Sequence, residues 1–332
     1  MAGQQTVSYV DAINQAVKEE MRRDGRVVVW GVDVIGDFVL TATTLGVLEE
    51  FGEDRIMDTP IAEEAIVAMA AGAAFAGLRP IVTLMHAAFT PLACDALFLK
   101  LGCNYQEWGY EHKLPAVVMT PISSGTGMGA DLALSPEAFL VHSPGLKVVT
   151  PSTPYDAKGL LKSAVRDDYP VVYMPHLGLY SSGNKQAIPS DEYTIPLGKA
   201  DVKKQGADIT IVTYSQMVLK ALEAAKTLDG EGIGCEVVDL RSLVPLDIDA
   251  IVASVRKTGR LLVVHEAYKR GGFAAEIISR FIEAAPELLK TLKAGIKRLA
   301  CPNISLPHVF YIEDQMIPQA RDIYKTVKEM MR

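Results

Sequence analysis

Asp58-Thr59-Pro60-Ile61-Ala62-Glu63-Glu64 runs directly into residues 65–77, a stretch built almost wholly from Ala, Gly, Met, Val and Ile. The pattern predicts a helix opening at Glu63 and stopped by Gly77, with Pro80 just beyond. Small side chains let a neighbouring element approach closely, and they offer no polar partner to a carboxylate at the helix mouth. Glu64 fits a helix-end charge, which gains about 0.3–1 kcal/mol from the helix dipole. Glu63 has two readings on pattern alone: a second helix-end charge, or a working acid in an apolar setting.

Outward from this helix, short β-branched runs alternate with helical segments. An amphipathic helix is predicted over 8–23, followed by strand 27–31 and a helix near 45–51. Strand 81–85, a helix over roughly 91–104 and strand 116–119 come next. A Gly-rich loop, 123–130, leads to a short helix near 136–141, strand 147–149, helix 154–166 and strand 171–174. Residues 175 to about 206 lose the helical period and read as a connection. A second alternation then follows: strand 209–213, helix 215–228, strand 235–240, helix 247–257, strand 261–265 and helix 272–285. The tail from residue 311 ends in a helix. Strands alternating with helices call for parallel sheets covered on both faces. The expected fold class is therefore α/β, in two three-layer α/β/α domains.

The whole-chain numbers agree. A length of 332 residues suggests two domains, and 49% apolar residues supply both cores. A net charge of −7 without a basic block argues against nucleic acid and anionic membranes as partners. The N-terminus lacks a charged-then-apolar signal layout, and no apolar run is long enough to span a bilayer. Cys94, Cys103, Cys235 and Cys301 are scattered without a Cys-x-x-Cys pair. They read as reduced thiols of a cytoplasmic protein, without metal-ligand spacing.

Several signatures are missing. No Gly-x-Gly-x-x-Gly follows the first strand, and the chain has neither a Walker loop nor a Gly-x-Ser-x-Gly elbow. The glycines of 125–129 do not open a long helix, so they read either as a flexible surface loop or as a ligand loop at the carboxyl end of a strand. His86 follows strand 81–85 and precedes Phe89 by three residues. A hydrogen-bonded structural histidine is the ordinary reading there. His265, at the end of a strand and beside Glu266, is a second possible site residue.

Longer runs carry a resemblance. They include Phe51-Gly52-Glu53-Asp54-Arg55, the opening Asp58–Glu63 run, Ala76-Gly77-Leu78-Arg79-Pro80, Pro144-Gly145-Leu146-Lys147-Val148-Val149, and Asp239-Leu240-Arg241-Ser242-Leu243-Val244-Pro245-Leu246-Asp247. Together with His265-Glu266-Ala267 they make the chain resemble, over nearly its whole length, the β subunits of thiamine-diphosphate-dependent 2-oxo acid dehydrogenase E1 components. The resemblance implies a transketolase-like pyrimidine-binding domain over 1–185, a linker over 186–204 and a transketolase-like C-terminal domain over 205–332. It implies an α₂β₂ heterotetramer whose α subunit holds Mg²⁺ and the diphosphate, and an isolated β chain without activity. Glu63 matches the family glutamate that hydrogen-bonds N1′ of the aminopyrimidine. Phe89 matches the ring packed on the pyrimidine, and Ile61 matches a residue lining it. A monovalent-cation site near Asp167 is also implied.

Two departures bear on chemistry. The family glutamate after the first strand is replaced by Val32, in Gly31-Val32-Asp33-Val34. The family histidine before the Pro-Glu-Ala helix start is replaced by Leu132, in Asp131-Leu132-Ala133-Leu134-Ser135. Losing an acid–base group costs about 10²–10⁴ in rate for the original reaction. A more apolar pocket favours an apolar substrate. Asp131 and His86 are the candidates for replacement polar groups. Reductive acylation of a lipoyl-bearing partner is the step most affected. A lipoamide-independent lyase or ligase, or a non-catalytic paralogue, are the alternatives to a dehydrogenase.

Overall fold

The computed structural model describes residues 3–36, 42–103, 107 and 112–332. By contact the chain divides into two units: Met1–Ser123 with Phe139–Leu197, and Ser124–Ala138 with Gly198–Arg332. The first unit thus takes in residues 186–197, and the second reaches back for fifteen residues after Ser123, an excursion that nothing in the pattern announces.

In the first unit the elements are β1 (Gln4–Ser8), α1 (Tyr9–Arg23), β2 (Val27–Gly31), α2 (Val47–Phe51), β3 (Ile56–Asp58), α3 (Glu63–Phe75), β4 (Arg79–Thr83), β5 (Val117–Met119), β6 (Lys147–Val149), α4 (Pro154–Arg166), β7 (Val171–Tyr173), α5 (Leu177–Tyr180) and β8 (Lys185–Pro189). Six of the strands form a parallel array in the order β6-β7-β5-β4-β2-β3. The chain leaves β2 for the edge strand β3, then returns across β2 to β4, so the direction of winding reverses between β2 and β4. Register sets Gly31 beside both Asp58 and Thr83, and Thr83 beside Met119, at one carboxyl-terminal edge. That edge at a reversal of winding is where α/β sheets take ligands.

Helix α1 is capped by Ser8, whose hydroxyl accepts from the Asp11 amide, and α4 is capped by Thr153 with Pro154 in its first turn. The two helices pack together. Their seam is ionic as well as apolar. Lys158 and Lys162 are fully buried and reach Glu19 at 2.7 and 2.6 Å, Lys162 also meets Glu192, and buried Glu20 takes Arg166 at 2.5 Å.

Helix α3 is apolar on all sides. Ile66, Val67, Ala70, Ala71 and Ala74 face inward, and the helix packs on β4 and on the segment 87–103. That segment is not the α-helix the periodicity predicts. Ala87–Ala93 is a 3₁₀ helix with Pro91 inside, and Asp95–Cys103 continues as a π-helix. Proline has no amide hydrogen to give an α-helical ladder, so the chain tightens before it and widens after it. Residue 104, the last of the predicted helix, lies outside the described residues. The predicted connection also contains structure: β8 pairs antiparallel with β1.

In the second unit the elements are β9 (Asp201–Lys204), β10 (Ile209–Thr213), α6 (Met217–Asp229), β11 (Cys235–Asp239), α7 (Ile248–Thr258), β12 (Leu261–Tyr268), α8 (Ala274–Ala284), β13 (Lys297–Cys301), α9 (Phe310–Met316) and α10 (Ala320–Met330). The sheet order is β13-β12-β10-β11-β9, parallel except for β9. Helices α6 and α10 pack together, as do α7 and α8. One core gathers Ile209, Val237, Val264, Ile323 and the thiols Cys235 and Cys301. Strand β12 runs three residues past His265, because Tyr268 still pairs with Cys301.

Candidate active site

Glu63 is the first residue of α3 and is 8% exposed. The residue before it, Ala62, has no side chain that caps the helix. Among the described residues the Glu63 carboxylate makes no hydrogen bond or ion pair. With 8% of its surface exposed, the carboxylate still reaches solvent, and the helix dipole favours its charge.

Phe89 lies in the 3₁₀ segment packed against α3. Buried His86 fixes it: the Phe89 amide donates to the His86 carbonyl at 3.0 Å, and the two rings meet edge to face at 5.5 Å. The His86 ring is itself held by Ser123, Nδ1 to Oγ 2.6 Å. His86 thus has the structural partner expected of a satisfied histidine. Ile61, two residues before Glu63, is 76% exposed.

At the winding reversal, Val32, Val34, Thr83, Met85, Met119 and Tyr180 line a small cavity. Strands β2 and β4 approach so closely there that a side chain on Gly31 would collide with the Thr83 carbonyl. The chain then turns through Asp33 in the left-handed region, φ 51°. The Thr83 hydroxyl, and those of Thr59 and Thr120 near the same edge, are buried without a hydrogen-bond partner among the described residues. Sequence reading singled out Val32 but not these threonines, because a threonine in or beside a strand carries no pattern of its own.

Asp131 and Leu132 belong to the second unit. Leu132 is half-buried, its amide donating to the Gly129 carbonyl at 3.2 Å. Asp131 is exposed and 3.6 Å from His308, also exposed, a pairing the sequence did not suggest. The glycine loop before them is not free. Gly125, Gly127 and Gly129 all have positive φ, which turns successive amides to one side as an anion cradle. The buried carboxylate of Glu313, on α9, fills it, taking the amides of Gly125 and Gly127 at 2.8 and 2.6 Å.

Asp167 follows α4. Its carboxylate takes Lys147 at 2.5 Å and the Tyr169 amide at 2.9 Å. The neighbouring acceptors, the carbonyls of Val165 and Asp167 and the Asp168 carboxylate, each take the Arg79 guanidinium at 2.9 Å.

The fold and the domain matches define one class. The transketolase pyrimidine binding domain matches residues 5–181, and the transketolase C-terminal domain matches residues 198–323. A split gene transketolase, solved as an inactive β4 tetramer, superposes with a TM-score of 0.79 at 23% identity, covering 98% of both chains. A transketolase mutant from Pichia stipitis gives 0.70 at 15% identity, over 99% of this chain and 47% of that one. These two share the fold. Sequence relatives are nearer. The pyruvate dehydrogenase E1 component subunit beta of Bacillus subtilis (strain 168) is 40% identical, and the 2-oxoisovalerate dehydrogenase subunit beta of the same organism is 42% identical, each over 325 residues and 98% of both chains. The pyruvate dehydrogenase E1 component subunit beta of Staphylococcus aureus is 40% identical over the same span. The chain belongs to this family of 2-oxo acid dehydrogenase E1 β subunits.

Proposed function

We propose that the chain is the β half of a heteromeric, thiamine-diphosphate-dependent enzyme that oxidatively decarboxylates a 2-oxo acid, with its active site completed by an α subunit. The Glu63 carboxyl, without a hydrogen bond or ion pair among the described residues, carries this reading: protonated, it can donate to N1′ of an aminopyrimidine, a ring nitrogen that accepts. When bound, thiamine diphosphate stabilises negative charge on the acyl carbon once carbon dioxide has left. Glu63 would hold a proton at N1′ of the pyrimidine and so favour its imino form. Phe89, fixed by His86, would give the ring an apolar plate, and Ile61 a second wall. We assign Mg²⁺ and the diphosphate to the α subunit, and the oligomer to α₂β₂, on family resemblance.

Val32 in the apolar crevice favours a 2-oxo acid with an apolar side chain over a small charged substrate. Leu132, in place of an acid–base histidine, favours a second reading, in which the acyl group passes to an acceptor other than lipoamide. The test is co-expression with an α subunit, calorimetry with thiamine diphosphate, and 2-oxo-acid-dependent reduction of an artificial electron acceptor. Binding and turnover that both collapse in Glu63→Gln support the reading. Binding without oxidative turnover selects the lyase or ligase, and no binding in the heteromer overturns cofactor chemistry altogether.

A further inference from the structure

The second unit has a winding reversal of its own. The chain leaves β10 by α6, in the layer with α10, and leaves β12 by α8, in the layer with α7, so the crevice between the carboxyl ends of β10 and β12 lies where a parallel sheet would take a ligand. Tyr214 stands at the end of β10 and His265 on β12 beside it, their rings stacked at 6.3 Å and 7°. What fills the crevice is the excursion Ser124–Ala138. At one end the Ser124 hydroxyl donates to Glu266 at 2.8 Å. At the other, buried Glu137 takes the Tyr214 hydroxyl at 2.5 Å and the Ser135 hydroxyl at 2.7 Å. Both nitrogens of His265, fully buried, are without a hydrogen bond among the described residues.

We propose that Glu137 is a positioning residue: gripped by Tyr214, it latches the Ser124–Ala138 excursion into the β10–β12 crevice and so fixes Asp131 and Leu132 on the second unit. The latch is built to respond to protons. The groups facing Glu137 are Tyr214, Ser135 and Glu266, with His265 behind the Tyr214 ring. Burial, and then the charge of Glu266, push Glu137 up to about 7, while burial pushes His265 down to about 4, so the imidazole is neutral and adds no counter-charge. Arg298 bears on His265 and not on Glu137. For a carboxyl raised by folding, the closed form is favoured at low pH and loses ground as pH rises through 7.

Hydrogen exchange of the full chain at pH 6 and pH 8.5, corrected for the intrinsic rate, reads the latch directly. With 4.5 as the open-state value and about 7 closed, peptides of the excursion should lose about tenfold in protection between these pH values. Glu137→Gln, neutral and nearly isosteric, should stay protected at both. Tyr214→Phe should be open at both, while strands β10 and β11 keep their protection in every variant. Protection of the wild-type excursion that does not change with pH overturns the proposal, as does a Tyr214→Phe excursion as protected as the wild type. Should Glu137→Gln fail to fold, those two comparisons decide. A matching fall in kcat of the heteromer above pH 7 rests on the proposed function. Its absence with exchange as expected would count against that function alone.

Discussion

Glu63 is a carboxylate at the mouth of an apolar helix, without a hydrogen bond or ion pair among the described residues. Its replacement should therefore separate stability from activity. Glu63→Gln is expected to change the unfolding free energy of the chain without cofactor by less than about 1 kcal/mol, seen as a nearly unchanged Tm, while lowering turnover of the heteromer by about 10²–10⁴. A Tm that falls would mean that the carboxylate has a partner in the free chain. Phe89→Ala tests the plate. Loss of an aromatic contact worth about 0.5–1.5 kcal/mol should weaken thiamine diphosphate binding by about three- to tenfold in calorimetry and leave Tm nearly unchanged, since the ring is only half-buried. Glu63 stood out in the sequence because its neighbours are so uniformly small, although the pattern alone left it either a helix-end charge or a working acid. Phe89 emerged only through family resemblance, since one aromatic after a strand means little. The Asp131–His308 pair was not legible at all: 177 residues separate its members, and only the close packing of His308 on Gly129 brings them together.

Among the elements, the strands and capped helices were the easiest to read, since runs such as Val27–Gly31 and Ile209–Thr213 have a single period and clear ends. The 87–103 segment defeated periodicity, because 3₁₀, π and α helices share nearly the same apolar spacing and only Pro91 hinted at a break. The short partners β1 and β8 were missed because five residues of mixed polarity carry no reliable alternation. The α1–α4 seam makes an asymmetric prediction. Removing Glu19 leaves two lysines that are 0–1% exposed at their side chains with one partner each, Gln15 for Lys158 and Glu192 for Lys162, whereas removing Lys162 frees carboxylates that are 31% and 59% exposed and can hydrate. Glu19→Ala should cost about 2–3 kcal/mol in denaturant unfolding and Lys162→Met about 1 kcal/mol or less. Equal losses would show that the seam is held by packing rather than by charge.

On the scale of the whole molecule, the first unit and the Glu137 latch of the second carry pH responses of opposite sign. In the first, Asp24 and Asp168 are held below the usual carboxylate range, mainly by hydrogen bonds from Arg26 and Lys113 respectively, and Glu192 is held low by Lys162 and Arg166 against its own burial. Acids lowered by folding stabilise above their unfolded values, and that stability is lost as pH falls through the folded ones. The first unit should therefore lose stability from about pH 4.5 downward, whereas the Glu137 latch should loosen as pH rises through 7. Exchange of first-unit peptides and of the Ser124–Ala138 excursion across pH 3–9 would show two curves leaning in opposite directions, and parallel curves would refute the assignment. The four cysteines make the difference observable by simpler means. Cys235 and Cys301 sit in the second core, where burial pushes both thiols up to about 12, while half-buried Cys94 lies between the 3₁₀ and π segments of the first unit and half-buried Cys103 ends the π segment. An alkylating reagent would therefore mark the first unit in its resting state and the second only when its core opens, giving the chain a built-in clock for each half.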